Sequence, residues 1–300
     1  TTATFSFSKE KAPEGHFFMK ASVKGLIGGH SGDDINKKRA NSVKIISRFL
    51  YLALTKFGAR IADVNAGKLH NAIPRDGYAV FSVPADKKEE VRVLWNVFTS
   101  DVEEEFHVTE QNMQFNLEST DEADVLPEAE AGRIIRSLQA IDNGVFAMCQ
   151  DEALAWMVET SSNVASVETT DKEVKIVASQ RSNVMSALDN QANTVKALFE
   201  LAGASVEQGD GYPAWKMNAN SLLTKIAKET YVSLFGKEPK VLGIHAGLEC
   251  GLFSEKYPNL DMVSFGPTLR GVHSPDERLL IPTVEMVWNH LLAILKNIPE

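Results

Sequence analysis

Four short stretches of the sequence gather imidazole, amide, guanidinium and carboxylate side chains among glycines. In GLIGGHSGDD, His30 stands on a turn that the pattern places just ahead of a helix N-terminus, where an anion or a developing oxyanion is well received. In GKLHNAIPRDG, His70, Asn71 and Arg75 fall between two strand-like runs, and Asn71 offers an amide to a carbonyl or a carboxylate. In ASQRSNV, Arg181 sits where a strand hands over to a helix, and a guanidinium there grips a carboxylate at two points. The fourth place is a pair, IHAGLECG and FGPTLRGVHSPDE, which puts His245, Glu249 and His273 just after two buried-looking strands. Open α/β sheets bind their ligands at such carboxyl ends. His273 suits a metal through one ring nitrogen, with Asp276 or Glu277 orienting its neighbours. Each residue also has an ordinary reading, because loop histidines, turn asparagines and solvated arginines are commonplace. Zinc requires three or four protein donors, and neither HExxH nor paired Cys/His spacing supplies them in this sequence.

The elements that must carry these groups show in the periodicity. Residues 17–24 alternate at strand period, with Phe17, Met19, Ala21 and Val23 on one side, and form the first regular element expected. Asp33 or Asp34 can cap the helix that follows, whose stripe is Val43, Ile46, Leu50, Ala53 and Phe57 and whose stop is Gly58. Strands at 59–64 and 78–83, a helix at 89–105 and a strand at 112–117 complete the order strand, helix, strand, strand, helix, strand. An acidic connector with a proline, 120–131, leads to a helix bearing Ile134, Leu138 and Ile141. Beyond the Asp142-Asn143-Gly144 turn, 164–169 and 174–179 make a hairpin about Asp171. A helix then carries Val184, Leu188, Val195, Leu198 and Ala202 to Gly203, and 204–207 returns as a strand. The two halves share an element order, which suggests a doubled α/β sandwich. The GDGYP turn at 209–213 marks a change of texture. After it come a helix at 220–235 stopped by Gly236, buried strands at 241–244 and 262–265, and a final helix through Val284, Val287, Leu291 and Ile294. Two strands are too few for a sheet of their own and need partner strands from elsewhere.

Composition narrows the function. With 31 Lys and Arg against 40 Asp and Glu the net charge is -9, which repels phosphate backbones and disfavours nucleic acid. No apolar run approaches the roughly 18 to 20 residues that a membrane span needs. The two cysteines, Cys149 and Cys250, have no CxxC spacing and fit a reducing cytosol better than a disulfide scaffold. The opening Thr1-Thr2-Ala3-Thr4 carries no initiator Met, basic segment or apolar segment, and reads as a cut inside a longer chain.

Taken in order, GGHSGDDIN, KLHNAIPRDG, SQRSN, HAGLECGLF and SFGPTLRGVHSPDE resemble successive landmarks of the bacterial aminoacyl-histidine dipeptidases of the M20 metallopeptidase family. The similarity runs from Thr1 to about Ile298, and HAGLECG with the GVHSPDE loop is its most specific part. The resemblance implies an α/β protein: an α+β lid and dimerisation domain over 1–213, built as a doubled βαββαβ sandwich, then over 214–300 the C-terminal segment of an α/β zinc-binding catalytic domain. It implies two Zn²⁺ ions per active site, a small unblocked peptide as substrate, Xaa-His included, a homodimer formed through the lid, and a cytoplasmic setting. By the same resemblance His273 is a metal ligand and His30 reaches across the dimer to stabilise the tetrahedral oxyanion. Asn71 and Arg181 hold the substrate's carbonyl and terminal carboxylate, and Glu249 lies near its free amino end. The family's HxD motif, bridging aspartate and paired glutamates find no counterpart in the sequence. Their expected place is before Thr1, so that this chain alone does not hydrolyse peptides.

Two other readings compete. A non-catalytic dimerisation or peptide-binding module would use Arg181 and Asn71 to hold carboxylates without chemistry. A cysteine hydrolase would pair Cys250 with His245 or His273, a thiol beside a glycine loop being a feasible nucleophile.

Overall fold

The computed structural model of the chain describes residues 1–150, 152, 155–213, 215, 218, 220–242, 249–270, 272 and 277–299. The first strand, β1 (Thr2–Ser6), precedes the one expected from periodicity. Ala3 and Phe5 point into the core and are essentially fully buried, while the threonines between them are partly exposed. β2 (His16–Lys24) keeps the alternation read from its sequence: Met19, Ala21 and Val23 enter the main core, and Phe18 packs on the opposite side with Ala62 and Val125. The two-residue strand β3 (Gly29–His30) then leads, through turns, to α1 (Ser42–Phe57).

That helix begins later than expected. Neither Asp33 nor Asp34 caps it; Asn41 does, its side-chain oxygen accepting from the N–H groups of Val43 and Lys44 at 2.9 and 3.3 Å. Asp34 is engaged instead by the N–H of His30 at 2.9 Å, so the intervening residues are held in turns. The C-terminal end is the expected one, Gly58 adopting the left-handed conformation (φ 62°) that stops a helix without a Cβ penalty. The chain continues through β4 (Arg60–Ala66), β5 (Ala72–Ile73), β6 (Gly77–Pro84), α2 (Lys88–Phe106) and β7 (Gln114–Ser119). After the acidic connector come α3 (Glu128–Ala140), β8 (Gly144–Met148), the hairpin of β9 (Val158–Thr169) and β10 (Glu173–Ser182), α4 (Met185–Leu201) and β11 (Ser205–Glu207).

Eight strands form one sheet in the order β11-β1-β10-β9-β4-β6-β2-β7, with β8 added beside β9. The doubling is visible in that order. The unit β2-α1-β4-β6-α2-β7 runs spatially β4-β6-β2-β7, and its counterpart runs β9-β10-β1-β11 with α3 and α4 as its helices. In each unit the second strand lies at the inner edge, next to its equivalent, and β4 meets β9 through Ala66 and Val167. The difference from a simple tandem repeat is that β1, the opening strand of the second unit, comes from the start of the chain and embraces the first unit. Phe49, Phe81, Trp95 and Phe98 interlock edge-on or tilted between α1, α2 and the sheet, with Phe5 against Phe199 in the other unit.

Beyond residue 213 the described elements are α5 (Leu222–Phe235), α6 (Glu249–Lys256), the short pair β12 (Leu269–Arg270) and β13 (Arg278–Leu279), and α7 (Pro282–Asn297). α5 is capped by Ser221 and stopped by left-handed Gly236, as expected. It packs on α7 through Ile226, Ala227 and Ile294, with the His290 ring bonded to the carbonyl of Ala227 at 2.8 Å. The two buried strands expected here are a correction. Residues 241, 242 and 262–265 are not in strands, and 243 and 244 lie outside the described residues. A strand exists only when a neighbour completes its hydrogen-bond ladder, and none of the described segments pairs with these residues. Leu242, Phe253, Trp288 and Leu295, among others, are about half exposed or more.

Candidate active site

β3 pairs antiparallel with β5, Gly29 opposite Ile73 and His30 opposite Ala72. The ladder is possible because the glycines before His30 have no side chains. Gly28 and Gly29 have φ of 64° and 135°, and a Cβ on Gly29 would stand 2.3 Å from the Asp34 carboxylate. Arg75, singled out in the sequence beside Asn71, is the clamp of this loop pair: its Nε donates to the carbonyl of Leu26 at 3.0 Å, and its side chain fills the space beside Gly28. His70 is exposed at the turn.

His30 therefore stands in a short strand rather than at a helix N-terminus, since α1 starts only at Ser42. Its Nδ1 accepts from the backbone N–H groups of Gly32 at 3.3 Å and Asp33 at 3.4 Å. With Nδ1 accepting, a neutral imidazole carries its hydrogen on Nε2, and the Asp33 carboxylate lies 3.8 Å from Nδ1. The backbone N–H of Ser31 donates to the carbonyl of Asn71 at 2.9 Å, which fixes Asn71 one residue from the strand facing His30. Arg181, near the end of β10 and three residues before the N-cap of α4, donates from Nε to the Ser31 hydroxyl at 3.2 Å. The three lid residues read from separate stretches, His30, Asn71 and Arg181, thus converge on one loop.

The electrostatics of Arg181 are unusual for a charged group. Burial pushes its pKa down from the ordinary arginine value, and the carboxylate of Asp33 opposes that shift. None of the described carboxylates comes within 4.0 Å of its guanidinium. It is a desolvated cation, still protonated, without a direct anionic partner, and such a group favours an incoming carboxylate.

The rest of the predicted site is not assembled with these three. Glu249 is the exposed first residue of α6 and makes no hydrogen bond or ion pair with His30, Asn71 or Arg181. His273, expected as a metal ligand, lies outside the described residues, as do His245 and Asp276. Among the described residues no three His, Cys, Asp or Glu side chains come together as a metal would need, so they do not by themselves hold an ion. Burial, and then the neighbouring Glu249 carboxylate, push the Cys250 thiol up from its ordinary value, while His245 and His273, the bases considered for it, lie outside the described residues. A cavity of 1140 Å³ is lined by Met157 and Asn183 on one side and by Asp261, Ser264 and His290 on the other, and includes none of the three converging residues.

Sequence reasoning passed over Ser31, Asn41, Asn143 and Asn163. The Asn163 amide, essentially buried in β9, donates to the carbonyl of Ala72 at 2.8 Å. Asn41 donates to Val164 O at 2.9 Å and to the side-chain oxygen of Asn143 at 3.1 Å. Only Asn41 carried a usable signal, as a cap-forming residue ahead of an apolar stripe.

Comparison with known proteins bears on this arrangement. Residues 11–297 match the model of peptidase family M20/M25/M40. The chain is 39% identical over 300 residues to the cytosol non-specific dipeptidase of Escherichia coli (strain K12), a match that covers 99% of this chain and 61% of that protein. The solved aminoacylhistidine dipeptidase from Vibrio alginolyticus superposes with a TM-score of 0.86 at 37% identity, over 100% of this chain and 61% of that one. The chain thus spans 61% of the length of either relative.

Proposed function

The chain belongs to peptidase family M20/M25/M40, and from that premise we propose that the protein carrying it is a two-zinc dipeptidase acting on unblocked dipeptides, Xaa-His among them. One observation carries the reading: three separate segments adjoin Ser31, His30 as its chain neighbour, Asn71 through its backbone carbonyl and Arg181 through its Nε.

Each group has a part that its geometry suits. Arg181 binds the substrate's terminal carboxylate through the fork of its guanidinium, and the Asn71 amide holds the carbonyl. His30 donates its Nε2 hydrogen to the oxygen that becomes negative as the peptide carbon turns tetrahedral, a contact stronger in the transition state than in the ground state. It makes that contact in the active site of the other protomer of a homodimer. Glu249 lies toward the free amino end and His273 serves as a metal ligand. When bound, the metal supplies activated water and polarises the carbonyl; no described residue is assigned a step of that chemistry. In this reading residues 1–213 are the lid and dimerisation domain and 214–300 the C-terminal segment of the catalytic domain. No described helix is long and apolar enough to cross a membrane, which accords with a cytoplasmic peptidase.

The test is hydrolysis of Xaa-His dipeptides by the complete gene product, followed by release of free histidine. Activity lost on chelation and regained with Zn²⁺ supports the proposal. Activity indifferent to chelation removes the metal, and dipeptide binding without hydrolysis under any metal supports the non-catalytic module instead.

A further inference from the structure

The residue that joins the three candidate groups has no chemistry of its own in the proposed reaction. Ser31 is 1% exposed. It is peptide-bonded to His30, its N–H donates to the carbonyl of Asn71 at 2.9 Å, and its hydroxyl accepts from Nε of Arg181 at 3.2 Å. We infer that Ser31 is a positioning residue for carboxylate recognition, its hydroxyl setting the plane of the Arg181 guanidinium; this rests on the dipeptidase reading above.

The argument is geometric. A guanidinium has five N–H groups in one plane, and where Nε is already engaged a carboxylate bonds it end-on through the two terminal nitrogens. Fixing Nε on Ser31 fixes the plane and turns the two terminal nitrogens to the side away from Ser31. A two-point contact then requires no reorientation when substrate arrives, and little rotamer freedom is lost on binding. Among the described residues no other hydrogen bond holds the guanidinium, and Asp33, whose charge acts on Arg181, is exposed and farther than ion-pair distance. The same residue's main chain holds Asn71, but that bond survives any side-chain replacement. The side chain of Ser31 and the backbone of Ser31 therefore serve different parts of the substrate, and only the former is open to mutation.

The experiment is steady-state kinetics of the complete metal-loaded protein on a dipeptide and on the same dipeptide amidated at its C-terminus. Ser31→Ala should raise KM for the free dipeptide about 10-fold, the effect of losing one hydrogen bond to a charged group, with kcat within roughly 3-fold. The amidated substrate, which has no carboxylate to orient, should show no change in KM. Ser31→Thr keeps the hydroxyl and should restore most of the lost affinity. Should Ser31→Ala fail to fold, Ser31→Cys takes its place, being close in shape with a weak acceptor. Equal effects on both substrates, or none on either, overturn the assignment of Ser31 while leaving the dipeptidase reading intact. No hydrolysis of either substrate by the wild-type protein overturns that reading, and the role of Ser31 with it.

Discussion

The side-chain amide of Asn163 lies 2.8 Å from the carbonyl oxygen of Ala72, a residue distant in sequence but directly opposite His30 in the β3–β5 pair. This bond pins a two-residue ladder, too short to be stable by itself, to the long strand β9 in the middle of the sheet. Asn163 is 1% exposed and Ala72 partly buried, so removing the amide leaves a partly buried carbonyl without this partner. Asn163→Ala is expected to lower stability by about 1–3 kcal/mol, read from urea denaturation. A loss under about 0.5 kcal/mol, the size of an ordinary surface change, would show that water replaces the amide and that the loop is not pinned.

The tautomer of His30 leads to a second expectation. With Nδ1 held by the N–H groups of Gly32 and Asp33, the donor is Nε2, and donation matters most when the carbonyl oxygen carries charge. His30→Ala should reduce kcat by about 10²–10³-fold with little change in KM, the usual effect of losing one oxyanion donor. The opposite split, KM raised with kcat preserved, would make His30 a binding residue.

Why these residues were legible singly and not together is a matter of what periodicity reports. The stripe Val43, Ile46, Leu50, Ala53 and the stop at Gly58 are local, so α1 and its end could be read from sequence. Its start could not: Asp33, Asp34, Asn36 and Asn41 are all cap-formers, and the choice falls to Asn41 because its amide also bonds Val164 and Asn143 across the core. β1 escaped for the same reason. Thr2–Ser6 buries only Ala3 and Phe5, and its ladder partners are Glu173–Val177 and Ser205–Glu207, far along the chain. Strand patterns show which face is buried, not what lies alongside. His30, Asn71 and Arg181 were recognisable as types capable of chemistry, but their meeting point, Ser31, is an ordinary buried hydroxyl that only the assembled fold distinguishes.

Arg181 offers a prediction that separates function from stability. Its guanidinium is desolvated with none of the described carboxylates within ion-pair distance, an arrangement that costs free energy in the folded state. Arg181→Met keeps much of the aliphatic packing and removes that cost. Thermal unfolding should show the variant at least as stable as wild type, while KM for a free dipeptide rises about 10–100-fold, as for loss of a two-point ionic contact. A variant that is clearly destabilised would assign Arg181 to the architecture.

Lys44 extends the argument to pH. Its ammonium caps the end of α3, donating to the carbonyls of Leu138, Gln139 and Ile141 at 2.7, 3.1 and 2.6 Å. Burial lowers its pKa from 10.5 to about 8, with the Asp142 carboxylate opposing the shift. The folded chain therefore gives up this proton before the unfolded chain does. Below pH 8 both forms are charged and the burial cost is constant; from about 8 to 10.5 the unfolded chain binds more protons, and stability rises with pH. A neutral amine still has two N–H groups for the carbonyls, so the cap outlives the charge. Against Lys44→Met, which has no titrating group there, the stability difference should be flat between pH 6 and 8 and should shift in favour of the wild type above it. Other lysines and tyrosines titrate equally in both proteins and cancel. A difference that stays flat through pH 10, or slopes the other way, would mean that Lys44 keeps an ordinary pKa and that its three carbonyl partners outweigh its burial.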